Sequence, residues 1–140
     1  MSSNISTGLT LSASNGTDTF MIVCGIGNTT GPGQPTNGMY FRMDANTNAN
    51  FRCITRKASA ETDTDSTIAL DTGFHDLMLV VNAAGTAVDF YIDGVVVAAA
   101  VATNIPLTTT AMNTFFGIIK SAGTTARVTN FAGQSLEFVP

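Results

Sequence analysis

Charge is what this chain has least of: 11% of its 140 residues are Asp, Glu, Lys or Arg, against roughly 25% in ordinary soluble domains. Residues 1–41 hold a single charged side chain, Asp18, and residues 94–119 hold none. Solubility therefore rests on Thr, Ser, Asn and Gly, and an uncharged hydroxyl and amide surface does little to keep molecules apart. Such a surface suits a protein that ends in contact with others. The net charge of −4 excludes nucleic acid as the expected partner, because phosphate binding needs a basic surface to release counterions.

Long apolar runs are absent too. VVVAAAVA, from Val95, falls short of the roughly 18 residues of a membrane helix, so no membrane partner is expected. The first residues, MSSNISTGLTLSASNGTD, carry neither a basic cluster nor an apolar core, which argues against a secretory signal and for synthesis in a cytoplasm. Two cysteines, Cys24 and Cys53, sit inside apolar strand-like runs. Buried thiols in a reducing compartment fit that placement; a disulfide requires the two strands to be neighbours with facing side chains.

Nowhere do apolar residues recur at helical spacing over a helical length. Strand signals fill the chain instead. From Phe74 onward, FHDLMLVVN, the three-residue loop AAG, TAVDFYI, the turn Asp93-Gly94 and VVVAAAV follow almost without a break. A three-residue loop ending in Gly85 suits closure by a left-handed residue, and Asp-Gly supplies the two positive φ angles of a tight hairpin. Upstream, Thr19–Gly27 is apolar on both faces, as expected of a strand covered on both sides. Met39, Phe41 and Met43 alternate with Tyr40 and Arg42, and Phe51, Cys53 and Thr55 with Arg52, Ile54 and Arg56, the period of a half-buried strand. The acidic run through Glu61, Asp63 and Asp65 reads as a turn whose charges offset Arg52, Arg56 and Lys57. Two closing strands are expected around Phe115 to Lys120 and Gln134 to Val139, with a short one at Arg127 to Asn130. Nine or ten short strands without a helix predict an all-β, two-sheet antiparallel jelly-roll sandwich: an arm over residues 1–17, then one domain over 18–140.

Tests for chemistry fail one by one. Glycan cleavage needs two carboxylates flanking the scissile bond, yet the two Glu, Glu61 and Glu137, stand far apart and outside such a pattern. A nucleophile–histidine–acid set would have to use His75, the sole histidine, and neighbouring Asp76 points to the opposite face of the same strand. Asp63, Asp65 and Asp71 lack the glycine and terminal Glu of a calcium loop. The expectation is a non-enzyme with no cofactor and no metal.

The segment from Phe51 to about residue 138 resembles the concanavalin A-like, laminin-G-like jelly-roll domains that recur in tailed-phage virion proteins. The similar elements are the strand at His75, NAAGT at Asn82 to Thr86, FYIDG at Phe90 to Gly94, NIP at Asn104 to Pro106, and IIKSAGTTAR at Ile118 to Arg127. The resemblance implies two curved sheets with the first and last strands side by side. Within that setting the chain is most similar to a capsid cement, or decoration, protein: a structural protein on the capsid exterior, assembled in the bacterial host cytoplasm, whose partners are the major capsid protein and a second copy of itself. Expected contacts are Leu9 and Leu11 in the arm and Pro32 and Pro35 in the Asn28 to Gly38 loop, a length of loop more often functional than idle. The alternative is a glycan-binding adhesion module of a tail or head fibre, with Tyr40 and Tyr91, the two tyrosines, as stacking residues on the polar faces of their strands.

Overall fold

A computed structural model describes residues 2–6, 19–29, 33–124 and 130–135, and everything it describes is strand, turn or loop. Ten strands follow in order: β1 (Ser2–Ser6), β2 (Thr19–Gly27), β3 (Gly38–Met43), β4 (Asn50–Lys57), β5 (Ala60–Ala69), β6 (Phe74–Val81), β7 (Val88–Ile92), β8 (Val95–Val101), β9 (Asn113–Ala122) and β10 (Asn130–Ser135). They form two five-stranded antiparallel sheets. The first runs β10-β1-β6-β7-β8, the second β5-β4-β3-β2-β9.

The two hairpin turns legible in the sequence carry the expected backbone. Asp93 and Gly94 have φ of 52° and 79°, and Gly85 closes its loop at 67°. Asn82 staples the latter, its Oδ1 accepting from the amides of Thr86 (2.8 Å) and Ala87 (3.2 Å). The β4–β5 connection differs from expectation. Residues 60–69 form a strand, and the turn sits earlier at Ala58 and Ser59, with φ of 48° and 69°. Two non-glycine residues in the left-handed region carry no sequence signal; the turn is fixed by partners outside it, Asn37 Oδ1 accepting from the Ala58 amide and Thr36 O from that of Ser59.

The core lies between the sheets. Phe20, Ile22 and Cys24, then Met39, Phe41 and Met43, then Phe51 and Cys53 face Leu77, Leu79, Val88, Phe90 and Ile92, all nearly inaccessible to solvent. Phe41 and Phe90 meet across the interface edge to face, centroids 5.2 Å apart. Cys24 and Cys53 both pair with Phe41, one on each side. A whole strand thus separates the thiols by about 10 Å, two strand spacings, and no disulfide joins them. β1 pairs β10 from Ser2↔Ser135 to Ser6↔Asn130 and β6 from Ser2↔Met78 to Ser6↔Phe74. The first and last strands are therefore neighbours, as the resemblance implied, and the start of the expected arm belongs to the sandwich.

Candidate functional site

The outer face of the second sheet is filled by its own side chains. Tyr40, Val23 and Ile54 form a buried cluster there, with Met21, Phe115 and Ile119 packed around it. Tyr40 lies directly over Gly25, where an added Cβ would come within 2.5 Å of the tyrosine's own Cα and Cβ, so only glycine lets the ring down onto the strand. The ring is fully buried, its hydroxyl donates to Gln34 Oε1 at 2.7 Å, and burial pushes its pKa to about 12. Tyr40 is therefore no stacking platform for a sugar; the strand alternation placed it on the outward side but could not show that this side is covered.

Beside that cluster runs a ladder of ions. Arg42 reaches Glu61 at 2.8 Å and also Asp63, while Arg52 holds Asp63 (2.7 Å) and Asp65 (2.6 Å). Register explains it: Arg42 pairs with Arg52 and Arg52 with Asp65, so two cations side by side are answered by alternate acids of β5. The hydrogen bond that Arg52 donates to Asp63 raises the Arg52 pKa, and the Asp65 carboxyl lies below its usual range because it accepts from the Thr67 amide and from Asn50. Among the described residues no group of three or more His, Cys, Asp or Glu is placed to hold a metal.

The outer face of the first sheet is different. Met78, Tyr91 and Val96 stand in one row across β6, β7 and β8. Val80 (43% exposed) and Val96 (48%) are open to solvent, and Phe74, at the start of β6, is 71% exposed. Asp76 and Asp89 are the charged residues of these three strands on that face. Tyr91 lies half-buried in the middle of the row. This is the feature that sequence reading missed: alternation in FHDLMLVV and VDFYI marks the inward residues, but only the register shows that the outward Met, Val and Tyr of three strands coincide.

Two loop clusters complete the surface. At one end, Lys57, Gly85, Thr86, Asn104 and Leu107 line an open cleft of about 490 Å³. At the other, His75 lies between two carboxylates, Nδ1 2.7 Å from Asp93 and Nε2 2.9 Å from Asp71. Asp76 is not its partner, as expected; Asp93 is, from 18 positions along the chain. With both ring nitrogens engaged, neither is free to activate a nucleophile. Of the residues expected at an interface, Pro35 is described: it is buried, wedged where a Cβ on Gly27 or Gly38 would come within 3 Å of its ring. Leu9, Leu11 and Pro32 lie outside the described residues.

The chain matches the family SO2946-like, C-terminal domain, over residues 4–131, and belongs to it. No curated protein and no solved structure matches.

Proposed function

We propose that this SO2946-like domain is a non-enzymatic cement protein of a phage head, which seats the outer face of its β6-β7-β8 strands on the major capsid protein and bridges neighbouring subunits. The observation that supports this reading is the contiguous, nearly uncharged row of Met78, Tyr91 and Val96, flanked by exposed Val80 and Phe74. Apolar side chains gathered on one face, on a chain otherwise poor in charge, mark a contact surface. The phage setting itself rests on the resemblance of the segment from Phe51 onward. Each contact has only to bury about 1,000 Å², because many copies act in parallel on a lattice of fixed spacing and effective concentration multiplies modest affinities. A second copy of the chain, related by a two-fold axis, is the other expected partner.

Quantitative gel densitometry of purified virions tests this directly. The expected result is hundreds of copies per particle, and particles lacking the protein that release DNA on mild heating; a handful of copies per particle overturns the proposal. The adhesion-module alternative keeps one stacking residue, the half-buried Tyr91. It requires saturable binding to host polysaccharide that Tyr91→Ala abolishes, and the cement reading expects none.

A further inference from the structure

A neutral imidazole carries one N–H, so it donates to one acceptor only. His75 places both of its ring nitrogens within hydrogen-bonding distance of carboxylate oxygens, Asp93 Oδ2 at 2.7 Å and Asp71 Oδ1 at 2.9 Å. In the neutral form one of those contacts would set a ring lone pair against an anionic oxygen. The arrangement is satisfied only when both nitrogens donate, which is the imidazolium.

The two carboxylates are themselves fixed by the backbone. Asp93 Oδ1 accepts from the Asp76 amide at 2.8 Å, and Asp71 Oδ1 accepts from the Gly73 amide at 2.6 Å. The ring sits edge to face against Phe51 of the opposite sheet, centroids 5.0 Å apart, and the side chain is 12% exposed. Among the described residues, the β5–β6 connection brings Asp71 to the ring, the β7–β8 turn brings Asp93, β4 brings Phe51, and β1 is in register at Ile5. Among the described residues the charges that meet the ring are both negative, and Asp76 lies on the far side of the strand.

The geometry points to a pH-sensitive clamp: His75, held as the imidazolium, ties the Asp71–Gly73 connection and the Asp93-Gly94 turn to β6 and to the opposite sheet, and loss of its proton as pH rises releases both. The device is independent of what the apolar face binds, but it lies beside that face, since Phe74 follows the clamped connection directly. Burial alone would push the His75 pKa down; the hydrogen bonds to Asp93 and Asp71 more than offset it and leave the pKa above the ordinary 6.5. The Asp71 carboxyl is lowered by His75 and by the Gly73 amide, and that of Asp93 is lowered, against its partial burial, by His75 and the Asp76 amide. The signs follow by linkage. Stabilisation from the raised histidine is complete below 6.5 and is lost as pH climbs through its folded value; stabilisation from the lowered carboxylates is complete above 3.8 and is lost as pH falls through theirs.

Ring-nitrogen NMR of the full chain, followed from about pH 5 to about pH 10 across the range in which a perturbed histidine titrates, decides the matter. Both nitrogens are expected to be protonated at the start of the series, with a midpoint above 6.5. The exposed-site variants Asp71→Asn and Asp93→Asn, each leaving a hydrogen-bond acceptor in place, should each lower the midpoint. Hydrogen-exchange protection at the Asp76 and Gly73 amides should fall as the ring deprotonates. A single neutral tautomer at the start, a midpoint that both variants leave unmoved, or amide protection that passes through the titration unchanged would each overturn the clamp.

Discussion

The outer faces of the two sheets stand in contrast. On β2, β3, β4 and β5 the side chains largely answer one another, the buried Arg56 Nε excepted: Tyr40 seals Gly25, the Tyr40 hydroxyl finds Gln34, and the guanidinium groups of Arg42 and Arg52 meet Glu61, Asp63 and Asp65. On β6, β7 and β8, Val80, Val96 and Phe74 stay in water. One face spends its side chains on the fold, while the other has spare apolar surface whose burial would yield roughly 25 cal/mol per Å² on contact with a partner. Substitution should therefore harm stability on the first face and assembly on the second.

The largest expected effect is at Ile54, which is fully buried in the outer cluster. Ile54→Ala removes packed methyl groups and leaves a cavity, at a cost of about 2–5 kcal/mol in denaturant unfolding. A loss under about 1 kcal/mol would mean that the cluster contributes as little as free surface does. Arg42→Ala comes next. It removes the cation that Glu61 shares with Asp63, which keeps Arg52, for a loss of about 1 kcal/mol that added salt should diminish by screening the remaining carboxylates. Equal losses at low and high salt would show that the arginine acts by packing alone. Smallest in stability is Val96→Thr, a near-isosteric change on the open face expected to stay within about 0.5 kcal/mol. Under the cement-protein proposal, capsid occupancy of the same variant should drop, and unchanged occupancy would remove this face from the proposed interface.

Much of this was legible in the sequence where structure is local. Asp93-Gly94 and the Gly85 loop fix their own backbone angles, and period-two alternation assigned Phe41, Phe51 and Cys53 inward before any register was known. What escaped depends on distant partners. Ala58 and Ser59 adopt left-handed angles because Asn37 and Thr36 hold them. The acids of β5 form a strand instead of a turn because Arg52 stands opposite on β4 and Arg42 reaches them from β3 beyond it. Tyr40 is buried because Gly25, on the neighbouring strand, lacks a side chain. The clamp at His75 needs Asp93, which chain order keeps apart from it. Ser2–Ser6, all polar except Ile5, joins the sheet through pairing on both edges, which composition cannot signal.

Cys24 and Cys53 flank Phe41 in the sealed interior, and burial pushes the Cys53 thiol up to about 12. Both sulfurs are buried away from reagents while the sandwich is closed, Cys53 is held besides as the unreactive thiol, and no oxidant can couple the pair without prising β3 out from between them. The two thiols are therefore native chemical clocks: the rate at which a disulfide reagent colours the intact protein reads how often the sandwich opens, with no label engineered in.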